Sequence, residues 1–174
     1  TLQEFHNYTN IEMHFFATSY EDMVLEDFNY KTYPDVKLLD ALYASCCFPL
    51  AFKPEKINDK VYIDGGLIAH YPCVYCLNEK NKDETLGIYI KTSGGTNGDL
   101  SNILGFGISL IYKIIFLKQM KNLDHLKNQI IITTESLDIN GILDLINSKK
   151  KREEKINAGS DFAYIFLKYL DNSS

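Results

Sequence analysis

The chain has 174 residues, 45% of them hydrophobic and 24% charged, the make-up of one ordinary globular domain that buries about 70% of the surface its unfolded form exposes. Collagen-like, disordered and disulfide-scaffold classes are excluded together, and a net charge of −5 argues against a generic electrostatic hold on nucleic acid. The one concentrated basic run, Lys149, Lys150, Lys151 and Arg152, is followed at once by Glu153, Glu154 and Lys155, which cancels most of its field and reads as a solvated helix start.

In chain order, IEMHFFA at 11–17 mixes branched and aromatic residues without helical caps and predicts a buried strand. VLEDFNY at 24–30 predicts a second strand, hairpin-paired with the first. Asp35 precedes VKLLDALYAS, whose Leu38, Ala41, Leu42 and Ser45 share one helical face, and Pro49 ends that helix. VYIDGGL at 61–67 reads as a strand running into a glycine pair, with a short helix after Pro72. LGIYIK at 86–91 and QIIITT at 129–134 are further strands, separated by a helix from about Ser101 to Met120. The last helix is expected over Glu153 to Leu170, with Phe162, Ile165, Phe166 and Tyr169 on one face. Strands alternating with helices predict an α/β, three-layer α/β/α architecture with a mostly parallel sheet. The short SGGTNG run at 93–98 reads as a loop and lacks the lysine and hydroxyl residue of a phosphate loop.

Sheets of this kind carry function at the C-terminal ends of their strands. Only the strand ending at Asp64 delivers a carboxylate straight into two glycines, Gly65 and Gly66. Their torsional freedom would present Asp64 at an open edge and let a substrate or a second loop approach the main chain. If Val61 and Ile63 face one layer, Tyr62 and Asp64 face the other, and a carboxylate there needs a partner or a task. On this motif alone, a turn aspartate that caps local amides is the simpler account.

Three segments change that balance. TLQEFHNYTNIEMHFFAT at 1–18, ASCCFP at 44–49 and VYIDGGLIAHYP at 61–72 resemble, in this order and spacing, the patatin-like phospholipase family, whose A-S-x-x-x-P helix end and D-G-G or D-G-A motif recur in the same context. The resemblance runs from Thr1 to about Thr92 and is looser beyond, although NAGSDFAYIFL at 157–167 is similar to the family's closing helix. It implies a lipid acyl hydrolase with a Ser-Asp dyad, in which Asp64 is the general base that accepts the serine proton. It implies a phospholipid or acylglycerol substrate, no cofactor and no metal.

The family's nucleophile sits in G-x-S-x-G upstream of these motifs, beside a glycine-rich oxyanion loop. None of Ser19, Ser45, Ser93, Ser101, Ser109, Ser136, Ser148 and Ser160 lies between glycines at that spacing. The chain therefore reads, over residues 1–174, as the C-terminal part of a single patatin-like domain that is incomplete at its N-terminus. It is inactive alone and needs an N-terminal half carrying G-x-S-x-G. A non-catalytic interaction or lipid-binding module is the alternative. His70 stands where the family usually has asparagine; it either bonds Asp64 from behind or makes a local backbone bond.

Cys73 and Cys76 form C-x-x-C near His70, but the remaining pair, Cys46 and Cys47, is vicinal and suits one tetrahedral ion poorly. Four cysteines without a secretory signal point to a reducing, cytoplasmic setting. The apolar run ILGFGISLIYKIIFL at 103–117 is too short and interrupted to span a membrane, being split by Lys113. It reads either as a helix buried against the sheet or as one that makes transient contact with a membrane surface.

Overall fold

The computed structural model describes residues 1–76, 84–93, 102–119, 126, 128–135 and 144–171. They fall into two compact units. The first holds Thr1–Pro72 and the helix at Ile103–Gln119, and the second holds the described residues of 73–98 and 122–174.

The first unit opens with a helix the sequence reading did not anticipate, α1 at Leu2–Thr9. Its signal is a capping box: the Thr1 hydroxyl accepts from the Glu4 amide while the Glu4 side chain returns to the Thr1 backbone. Leu2 and Gln3 donate their free first-turn amides to the carbonyls of Val36 and Pro34, which docks α1 on the following loop. Asn10, in left-handed conformation at φ 56°, ends the helix.

Strand β1, Phe15–Ser19, is buried at every position, so it starts later than the expected 11–17. The residues before it carry Glu12, which forms a surface ion pair with Lys31, and His14, whose ring lies in hydrogen-bond contact with Asp27, and these hold that stretch out of the core. Strand β2, Leu25–Phe28, pairs with β1 antiparallel, as the hairpin expectation has it.

Helix α2 covers Leu38–Cys46. Its buried residues are Ala41 and Ala44, and Leu38 packs against the same core, whereas Leu42 is 46% exposed, so the expected Leu38, Ala41, Leu42 and Ser45 face holds at Leu38 and Ala41 and gives way to Ala44 at Leu42. Methyl-sized side chains let the helix lie close on the sheet, and they outrank the larger leucine for the line of contact. The expected Asp35 cap is also replaced: Lys37 stands at the N-cap and contributes no side-chain bond. Two further strands, β3 at Glu55–Ile57 and β4 at Lys60–Asp64, are joined by Asn58 and Asp59, both at positive φ (49° and 66°), the torsions of a two-residue hairpin turn. The sheet order is β2-β1-β4-β3 and every pairing is antiparallel. Phe15, Ala17, Phe28, Ile57 and Tyr62 form its core with Leu2, Val36, Ala41 and Ala44.

At the edge of this core, Glu26 accepts from the hydroxyls of Tyr33 and Tyr62 and from the Lys60 ammonium. Burial alone would push the Glu26 carboxyl up, but those donors together hold it below the ordinary carboxylate value. The unit also contains α3, Gly66–Ala69.

In the second unit, α4 is Cys73–Cys76, while β5 (Leu86–Ser93) and β6 (Asn128–Glu135) pair in parallel, Ile88 against Ile130 and Ile90 against Ile132. Helix α5 of the first unit is Ile103–Gln119, its first turn capped by the Asn102 side chain on the Gly105 amide at 2.7 Å. Among the described residues, no helix is long and apolar enough to cross a membrane. Ile103, Phe106, Leu110 and Ile114 of α5 are exposed along one stripe, at variance with a simple burial of that run.

Helix α6, Lys149–Asp171, begins four residues before the expected Glu153, where Ser148 accepts from the Lys151 amide. Its basic start is solvated and paired: Lys149 meets Glu153 at 3.5 Å, and Arg152 donates to the carbonyls of Leu145 and Ile146. The less exposed stripe is Gly159, Phe162, Ala163, Phe166 and Leu170; the expected Ile165 and Tyr169 are exposed at 64% and 65%.

Helices and strands alternate, so the class is α/β. The mostly parallel arrangement is not what the described strands form, because the short β1–β2 and β3–β4 connections permit only antiparallel pairs. Residues 94–98 of the expected glycine-rich loop lie outside the described residues.

Candidate functional site

Asp64 is the last residue of β4, and the two motifs that precede and contain it meet there. Its backbone N–H donates to the carbonyl of Cys47, just past the end of α2, at 3.2 Å. Its carbonyl accepts from the fully buried Thr18 hydroxyl of β1 at 3.1 Å. The Cys47 thiol, itself 1% exposed, lies against the carbonyls of Ala44 and Tyr62. The ASCCFP helix end and the D-G-G turn are thus stitched together by main-chain and buried side-chain bonds. Thr18 and Cys47 were not singled out for this task by sequence. The available signal was the pair of hydroxyl residues, Thr18 and Ser19, that closes an apolar run.

The glycines serve a different purpose from the one their torsions suggested. Gly65 has φ −64° and ψ −22°, values any residue adopts. A Cβ there would overlap the Phe16 main chain, standing 2.6 Å from its carbonyl carbon, so Gly65 is required by close approach to β1. A Cβ on Gly66 would stand 2.9 Å from Asp64 Oδ1 and 3.4 Å from His70 Nδ1. The space it leaves empty is where the carboxylate and the imidazole converge.

Asp64 Oδ1 accepts the Gly66 N–H at 2.7 Å, a charge-assisted bond to the first turn of α3. Among the described residues its second oxygen, Oδ2, receives no hydrogen bond, which leaves it open to take a proton. Burial pushes the Asp64 carboxyl up, while the Gly66 amide and the nearby His70 pull it back toward the charged form. His70 reaches solvent on one side, yet desolvation from its packed side lowers it below the ordinary imidazole value against the opposing pull of Asp64. Burial, with the Asp64 charge behind it, raises the thiols of Cys46 and Cys47 and keeps them protonated and weakly nucleophilic.

Asp64, Gly65, Gly66 and His70 therefore stand together in one turn. None of the four cysteines is in a disulfide: Cys47 and Cys73 are buried, Cys46 and Cys76 exposed. Among the described residues no three His, Cys, Asp or Glu side chains gather into a group that would hold a metal ion.

The family comparison falls on the same part of the chain. A family model described as patatin-like phospholipase matches residues 1–77. "Probable lipid hydrolase 463L" of Invertebrate iridescent virus 6 is 38% identical over 61 residues, a match that covers 33% of this chain and 21% of that protein. The chain thus spans about a fifth of that relative. No solved structure matches. Residues 1–77, which carry the Asp64 turn together with Thr18, Cys47 and His70 that surround it, are thus similar to the patatin-like phospholipase family.

Proposed function

We propose that this chain supplies the general base of a lipid acyl hydrolase, with Asp64 in that role. The observation that carries the reading is the Asp64 turn itself: a half-buried carboxylate at a strand end, one oxygen fixed by the Gly66 amide and the other open. Oδ2 takes the proton of a serine hydroxyl as that oxygen bonds to an ester carbonyl carbon. The proton then passes to the departing alcohol as the C–O bond breaks, and Asp64 next deprotonates the water that releases the acid. The base works only when ionised, so activity rises with pH through the Asp64 midpoint, which burial raises and the Gly66 amide and His70 restrain.

The serine of G-x-S-x-G and its oxyanion donors would come from an N-terminal half outside this sequence, and the 174 residues alone would not turn over. Together the two parts would form a single domain, whose three-layer, mostly parallel sheet is completed by that half. Substrates would be phospholipids or acylglycerols. The exposed stripe of Ile103, Phe106, Leu110 and Ile114 on α5 supports transient contact with a lipid surface from a cytoplasmic setting. No cofactor enters the steps above, because acyl transfer needs only a base and oxyanion donors.

The test is to treat the natural gene product with a fluorophosphonate ester probe and map the labelled peptide. Labelling of one serine within G-x-S-x-G, together with release of fatty acid from mixed phospholipid micelles, is the expected result. An unlabelled, fully folded product that releases no fatty acid would contradict it and favour a non-catalytic patatin-fold module.

A further inference from the structure

Asp64 and His70 are brought together by the register of a single helical turn. His70 follows Gly66 by four residues at the end of α3, with helical torsions of φ −62° and ψ −32°. Side chains at i and i+4 share a helix face and lean toward the N-terminus, so the imidazole is laid back over Gly66. The absent Cβ of Gly66 leaves room for it: the same point in space is 3.4 Å from His70 Nδ1 and 2.9 Å from Asp64 Oδ1. The carboxylate in turn is folded toward that point by the 2.7 Å bond from the Gly66 amide.

We infer that His70 is a positioning residue for Asp64, its imidazole confining the carboxylate to the Gly66-bonded rotamer and exchanging charge stabilisation with it. The inference rests on the hydrolase reading for its consequence in turnover, but the coupling is a property of this chain alone. An ionised Asp64 favours protonated His70, and by linkage protonated His70 favours ionised Asp64 to the same extent. Among the described residues, neighbouring elements present the following groups. Cys46 and Cys47, from the end of α2, are neutral thiols. Beside Gly65, β1 presents the Phe16 main chain. Lys113, the charged residue among the described side chains of α5, is exposed to solvent.

The experiment is an NMR titration of the 174-residue chain, following the His70 ring and the Asp64 carboxyl carbon. Asp64→Asn is expected to lower the His70 midpoint by about half a pH unit or more, and His70→Asn to raise the Asp64 midpoint by a matching amount. If neither midpoint moves in folded variants, the inference is overturned and the hydrolase reading stands untouched. Amide dispersion in the same spectra reports folding, and His70→Gln, closer in length, replaces His70→Asn if that variant unfolds.

In the natural gene product, assayed with a p-nitrophenyl acyl ester, His70→Asn should lower kcat about tenfold with KM unchanged. The acidic limb of its pH profile should move to higher pH. A kcat loss with an unmoved acidic limb would mark a merely structural histidine and defeat the inference. An active Asp64→Asn enzyme would instead defeat the hydrolase reading while leaving the titration result intact.

Discussion

Gly65 and Gly159 are the same residue under opposite constraints. A Cβ at Gly65 would overlap the main chain of Phe16, whereas one at Gly159 in α6 would meet nothing within 4 Å. The contrast extends to their surroundings. Around Asp64, small buried residues, Ala17, Ala41 and Ala44, let helix and strands approach closely, and Thr18 and Cys47 tie the turn from two sides. In the second unit, regular patterning suffices for the β5–β6 pair and α6, and Leu86, Ile88, Ile90 and Ile131 remain about half exposed. Tight tolerance and the family match thus coincide in residues 1–77. A carboxylate that must hold one orientation at a low-dielectric edge requires such a frame; an amphipathic helix does not.

The sharpest way to break this contrast is Gly65→Ala. Displacing the β1 main chain should cost about 3 kcal/mol or more, read as a lower urea midpoint by circular dichroism. A loss below about 0.5 kcal/mol would show that the turn is looser than described. Ala44→Leu, which forces α2 off the sheet, should cost about 2 kcal/mol; an unchanged midpoint would mean that the helix is free to shift.

Next in size is Glu26→Gln, expected to cost about 1 kcal/mol near neutral pH. Glu26 is held below its ordinary value in the folded state, so its contribution is present above the unfolded carboxylate midpoint and fades as pH falls through the folded one. The difference between wild type and variant should therefore shrink in acid. A difference that grows on acidification would reverse the assigned sign. Smallest is Gly159→Ala, which should raise stability by about 0.5–1 kcal/mol by restoring helix propensity in open space. A destabilised variant would show that α6 is as crowded there as the Asp64 turn.

How far each region was legible in the sequence follows from the same physics. ASCCFP and VYIDGGL pointed to the candidate site without any structure, through their order and spacing in the patatin-like pattern, since the Asp-Gly-Gly turn alone reads equally as a local cap. The reason for the glycines was not legible, since close approach to Phe16 is a tertiary fact and torsional freedom is the default account. Hydrophobic periodicity found α2 and placed Leu38 and Ala41 on its inner face, but it took Leu42 for the residue that Ala44 proves to be. It oriented α6 by Ile165 and Tyr169, whereas Ala163 and Leu170 share the less exposed stripe with Phe162 and Phe166. Helix α1 was missed although Thr1 and Glu4 spell a capping box, and β3 was missed because three residues are too few to show a period. His70 was legible as a departure from the family pattern; that it lies over Gly66 required the torsions of α3.

The central claim, that Asp64 is the base of an acyl hydrolase, is tested most directly by turnover of Asp64→Asn in the natural gene product on a p-nitrophenyl acyl ester, beside wild type. The amide keeps the shape of the side chain, so thermal unfolding should be nearly unchanged while kcat falls about 10²–10⁴-fold. A folded variant that retains activity within about twofold would contradict the account.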